Sequence, residues 1–125
     1  MTKNMKRIHK VVVKRLFDDD PDTSYLEQPE FEQRLADWHR ERFYYLGIRA
    51  HAEICIPSEG QNADTGILQQ ITSGGLWGIE SDSDTAYLKE IEQEQLSELR
   101  DQLHAIGFSQ RAISAAFKDV QHCEQ

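Results

Sequence analysis

Apolar residues recur along this chain with two different spacings, and each spacing predicts an element. In "LGIRAHAEICIP", Ile48, Ala50, Ala52, Ile54 and Ile56 alternate with Arg49, His51, Glu53 and Cys55. A period of two is the mark of a strand with one buried face. "HKVVVKRLF" (His9–Phe17) is rich in β-branched residues and is stopped by "DDDPD", which predicts an earlier strand followed by an acidic turn. Between them, "QPEFEQRLADWHRER" has Phe31, Leu35 and Trp38 at i, i+4 and i+7. Pro29 at the first helical position and acids in the first turn predict a helix of about 12–16 residues. Glu30 and Arg34 are spaced to pair on its surface.

After the alternating strand, "SEGQNADTG" reads as a loop. "ILQQIT" and "LWGIE" are two short strands, and Gly74-Gly75 between them predicts a hairpin, because both turn positions need positive φ. Gly78 marks a bulge or a close approach. "SDSDTAYLKEIEQEQLSELRDQLHAIG" is the longest helix, with Ser83 or Asp84 as its N-cap and Gly107 as its stop. Leu88, Ile91, Leu99, Leu103 and Ile106 trace its apolar stripe, with Leu96 beside the stripe and Gln95 interrupting it. Ser109 then caps a last helix that buries Ile113, Phe117 and Val120. The order β-α-β-β-β-α-α predicts an α+β domain: about four mostly antiparallel strands with helices packed on one face. Residues 1–125 form a single domain in this reading, with 1–8 and 121–125 frayed.

Charge changes the picture more than composition does. The net charge is −8 and it is unevenly laid out. Residues 1–16 hold six basic groups and no acid, residues 17–33 hold seven acids and no base, and Glu80–Asp101 holds eight acids against Lys89 and Arg100. Such a balance disfavours direct nucleic-acid binding, which needs a basic footprint, and favours a partner with a basic patch. No apolar run approaches the ~20 residues of a membrane span, and "MTKNMKR" lacks a signal peptide's apolar stretch. A cytoplasmic protein is expected, without disulfide or zinc: Cys55 and Cys123 stand far apart, and Cys55 is read as a small buried hydrophobe.

Candidate chemistry is sparse. Asp18, Asp20, Asp22 and Ser24 alternate as in a calcium loop. The sixth and twelfth places hold Thr23 and Pro29 where an EF-hand needs glycine and glutamate. Glu80, Asp82 and Asp84 follow a strand, as magnesium-binding carboxylates often do. Capping explains Asp84 and helix-dipole attraction part of Asp82. His39, His51 and His104 fall on polar faces and read as surface residues. The sequence therefore nominates no catalytic residue, metal ligand or cofactor. A small metal-dependent enzyme using Glu80/Asp82/Asp84 or His51/Glu53 is the competing reading. A DNA-binding regulator presenting Gln110, Arg111, Ser114 and Lys118 from the last helix pair is a third.

The stretch "YYLGIRAHAEI…ILQQITSGGLWGIESDSDTAYLKEIEQEQLSELRDQL", Tyr44 to about Leu103, resembles small acidic proteins of bacteriophages and bacterial mobile elements. That resemblance carries no assigned activity and implies context: such accessory proteins commonly act by binding host machinery. The leading expectation is a non-enzymatic protein that binds a host protein through an acidic surface, in its sharpest form as a nucleic-acid mimic inhibiting a host defence system. Asp82, Asp84, Glu90, Glu94, Glu98 and Asp101 are the candidate interaction surface. An open sheet would also leave edges for a homodimer to cover.

Overall fold

The sheet is organised around one long strand, whose sequence alternates most cleanly. In the computed structural model, which describes residues 6–57 and 66–124, this is β2, Tyr45–Ile56. The other strands are β1 (Arg7–Phe17), β3 (Ile67–Thr72), β4 (Leu76–Glu80) and β5 (Val120–Glu124). The helices are α1 (Glu32–His39), α2 (Thr85–Ala105) and α3 (Gln110–Ala116). Strand β1 lies antiparallel to β2, with Val11 opposite Ala52 and Val13 opposite Ala50. The strand order is β3-β2-β1-β5, and β4 also pairs with β2. The α+β class stands, with a mixed sheet of five strands rather than four.

Two departures from the expected layout have physical causes. Gly74-Gly75 does not turn a hairpin. Strand β3 pairs with His51–Ile56 and β4 with Tyr45–Ile48, so both run in one direction along the same edge of β2. A hairpin would have left half of that edge unpaired; a jog at Ser73–Gly75 lets both pieces use it. The second departure is β5. Val120 does not extend the last helix, and residues 121–124 are not frayed: they add to β1 in parallel, with Val11 opposite Val120 and Val13 opposite His122. Residues 7 and 8, also expected to fray, belong to β1, while 1–5 and 125, together with 58–65 of the expected loop, lie outside the described residues.

Helices α2 and α3 cover one face. Leu88, Ile91, Leu96, Leu99 and Leu103 pack on Ile48, Ala50, Ala52 and Ile54, and Phe108, Ile113 and Phe117 complete the core. The two alanines let the helix backbone approach the sheet closely. Ile106, placed on the stripe by its spacing, is instead 39% exposed at the end of α2. Gly107, at φ 106°, ends the helix as expected.

Tyr45 has the opposite parity in β2 from Leu46 and Ile48, so it points to the other face. There residues 18–44 fold over one end of the sheet, through single 3-10 turns at Ser24–Glu27 and Pro29–Phe31 and then α1. Leu26, Phe43 and Tyr45 are buried in this second cluster, and Trp38 meets Tyr45 edge-on at 5.0 Å. Helix α1 has 8 residues, shorter than expected, because Glu41 takes a left-handed φ of 57° just beyond its end. Arg34 leaves Glu30 and stacks 3.8 Å over the Phe43 ring. Among the described residues no helix is long and apolar enough to cross a membrane.

Candidate functional site

The six candidate carboxylates are all exposed, but they have divided roles. Asp84 is the N-cap residue of α2, yet its side chain caps nothing; the first helical bond runs from Leu88 N–H to its carbonyl at 3.0 Å. Asp82 accepts two bonds from the Arg34 guanidinium, at 2.8 and 2.9 Å. That fork holds the Asp82 carboxyl below its usual range. Glu98 accepts the Gly74 N–H at 2.8 Å. Glu90, Glu94 and Asp101 make no ion pair among the described residues. With 3.6 residues per turn, Tyr87, Glu90, Glu94, Glu98 and Asp101 fall within a strip about 80° wide.

The jog between β3 and β4 explains the glutamine that breaks the α2 stripe. Ser73 accepts the Ala50 N–H on its hydroxyl at 2.9 Å and donates to Gln95 Oε1 at 2.6 Å. The Gly75 N–H donates to the same oxygen at 2.9 Å. Gln95 and Glu98 thus satisfy backbone groups that the interrupted ladder leaves without a strand partner. The Gly-Gly pair is a seat for α2 rather than a phosphate cradle.

Glu80, at the end of β4, faces the second cluster. One of its oxygens accepts from the Tyr25 hydroxyl and the other from Arg34 at 2.8 Å. Tyr25 and Tyr45 share a hydroxyl bond of 2.6 Å. Burial raises both phenols above the ordinary tyrosine range, and the Glu80 carboxylate adds to the effect. The bonds that the guanidinium donates to Asp82 and Glu80 likewise raise Arg34. Glu80 and Asp82, considered for magnesium, therefore converge on a guanidinium, and Asp84 lies outside the cluster. Among the described residues no three His, Cys, Asp or Glu side chains are grouped to hold a metal ion. Beside the cluster a groove of about 400 Å³ opens between Tyr25, Phe31, Trp77, Glu80, Ser83 and Tyr87.

The other nominated residues lie apart from this cluster. His51 is not a surface residue: it is 3% exposed, on the sheet face away from α2, among Lys10, Lys14, Arg49 and Glu53. Burial and the three cations lower its pKa below the ordinary 6.5. Glu53 lies 3.8 Å from His9. Asp18 and Asp22 close local turns on the Asp20 and Ser24 N–H groups, and Asp18 also accepts the Gly78 N–H at 3.0 Å. Gln110, Arg111 and Ser114 are exposed on α3, a helix of 7 residues docked on β1, and Lys118 is exposed in the turn after it. Cys55 is buried, Cys123 is exposed, and no disulfide joins them.

One polar pair escaped sequence reasoning. Glu92 is 6% exposed and its carboxylate meets Arg15 at 3.1 Å. Its signal was present: Leu88, Glu92, Leu96, Leu99 and Leu103 share one face of α2, and Arg15 continues the core-facing alternation of Val11 and Val13. A charge at a stripe position on each of two elements predicts a buried pair once the elements are known to meet. Comparison of the chain with protein-family models, with curated proteins and with solved structures finds no match.

Proposed function

We propose that this chain is a non-enzymatic accessory protein of bacteriophage or mobile-element type that binds a host protein through the outer surface of α2. The observation that supports this reading is the division of labour among the carboxylates. Glu80, Glu92 and Asp82 are tied to arginines of the same chain, whereas Glu90, Glu94 and Asp101 stand exposed in one strip with no ion pair among the described residues. A helix advances 1.5 Å per residue, so the steps of four and seven residues set these charges about 6 and about 10 Å apart along its axis. An anionic row of this kind suits a basic patch that otherwise receives phosphates, as on a defence nuclease or restriction enzyme. Steered by charge, association is fast at low salt and slows as salt rises.

The test is a triple reversal, Glu90→Lys, Glu94→Lys and Asp101→Lys, on surface positions that carry no structural bond. Affinity capture from the native host, followed by mass spectrometry, identifies the partner of the unaltered chain. The reversed chain is expected to lose that partner while keeping its thermal unfolding midpoint. Undiminished capture would overturn the proposal.

A further inference from the structure

Strand β4 has β2 on one side and, among the described residues, no strand on the other. The groove beside Glu80 opens at this edge. Its walls are aromatic: Trp77 and Tyr87 are 44% and 48% exposed, and Phe31 meets Tyr25 edge-on at 5.3 Å. Exposed rings of this kind offer large contact area to a partner. No lysine or arginine lines the groove; the one charged group in its wall is the Glu80 carboxylate, and the Arg34 guanidinium that pairs with it is shared with Asp82, so two carboxylates face one cation. Each Glu80 oxygen accepts one bond within the chain, which leaves further lone-pair capacity on both. Asp82 and Asp84 stand exposed close by in sequence and oppose the partial positive charge at the start of α2. Tyr87 is also the first member of the acidic strip, so the groove lies where that strip begins.

Two other occupants fit less well. An added strand would need a regular edge, but β4 has only 5 residues, and Gly78 in its middle takes a φ of 74° with its N–H already given to Asp18. A neutral apolar ligand would gain nothing from Glu80 or the neighbouring acids. A cation gains from both, since the faces of aromatic rings are electronegative. We propose that the groove receives an arginine or lysine side chain of the protein that α2 binds, as the anchor of that contact. This rests on the reading of α2 as the partner surface and adds the pocket in which one partner residue is held.

The probe is N-acetyl-arginine amide, titrated against the full chain beside its neutral isostere N-acetyl-citrulline amide. Binding is followed by the NMR shift of the Trp77 indole N–H. The arginine compound is expected to bind about ten-fold more tightly. Trp77→Ala, read through backbone amides of β4, and Tyr87→Ala are each expected to lose the response with the amide spectrum otherwise preserved. Equal affinity for the two compounds, or no shift at the solubility limit, would overturn the groove proposal. The two proposals fail separately. A triple-reversed chain that still captures the host partner removes the α2 reading and with it the source of the groove's occupant, while the arginine preference still reports on the groove itself. Loss of capture with no arginine preference in the unaltered chain removes the groove alone.

Discussion

At the scale of single residues, the informative side chains sit where their type conflicts with their position. His51 is a titratable group on a largely buried strand, ringed by Lys10, Lys14 and Arg49, with Glu53 as the one opposing charge. Its folded pKa lies below the unfolded value of 6.5. The unfolded chain therefore takes up the proton first, and stability falls as pH drops from 6.5 towards the lower folded value. His51→Gln is expected to flatten the fall in urea midpoint between neutrality and about pH 5.5. An unaltered slope would place the titration elsewhere. Glu92→Ala leaves the Arg15 guanidinium without its nearest carboxylate. Because Arg15 keeps a quarter of its side chain in water, the expected loss is about 2 kcal/mol rather than the 3–5 kcal/mol of a fully buried pair. Chemical denaturation measures it. The alternation of β2 revealed which residues face α2, but it placed His51 in solvent. Periodicity reports a face; it does not report what long neighbouring side chains cover on that face.

At the scale of elements, local pattern predicted β1, β2, α2 and α3, whose identities follow from spacing within one segment. It missed features set by distant partners. The Gly74-Gly75 pair satisfies the local rule for a hairpin, yet the unpaired edge of β2 and the reach of Gln95 decide otherwise. Gln95→Ala removes the acceptor shared by Ser73 and Gly75, and an expected cost of about 1–3 kcal/mol follows from stranding partly buried donors. Hydrogen exchange should quicken at Gly75 and Ala50 before it does at the centre of β1. Gly75→Ala adds a Cβ at a φ of 83°, 3.0 Å from the Trp77 indole nitrogen and 3.3 Å from the Arg49 Cβ. About 1–2 kcal/mol of strain is expected, read as a lower unfolding midpoint. Strand β5 was illegible for a related reason: four polar residues after a helix predict nothing until the free edge of β1 is known to lie beside them.

At the scale of the molecule, the sheet separates two electrostatic surfaces. The face away from α2 carries Lys10, Lys14 and Arg49; the outer side of α2 carries Glu90, Glu94 and Asp101. The net charge of −8 was legible from composition, but this sidedness needed the fold. The candidate strip was legible as a list of acids; that Asp82 and Glu98 serve inward contacts was not. Association with the host partner is expected to slow by ten-fold or more between roughly 0.01 and 0.15 M salt, where the screening length shrinks from about 30 to 8 Å. Stopped-flow mixing at the two salt concentrations checks this, and a salt-independent rate would argue against charge as the guide.

The parallel pairing of β5 with β1 also bears on synthesis. Val11 meets Val120, so the outer row of amides and carbonyls on β1 must wait until residues 120–124 have left the ribosome. A polypeptide stalled before Val120 would present that row to any neighbouring extended segment, including another stalled copy. Once in place, β5 covers a row of backbone groups that would otherwise invite a foreign strand.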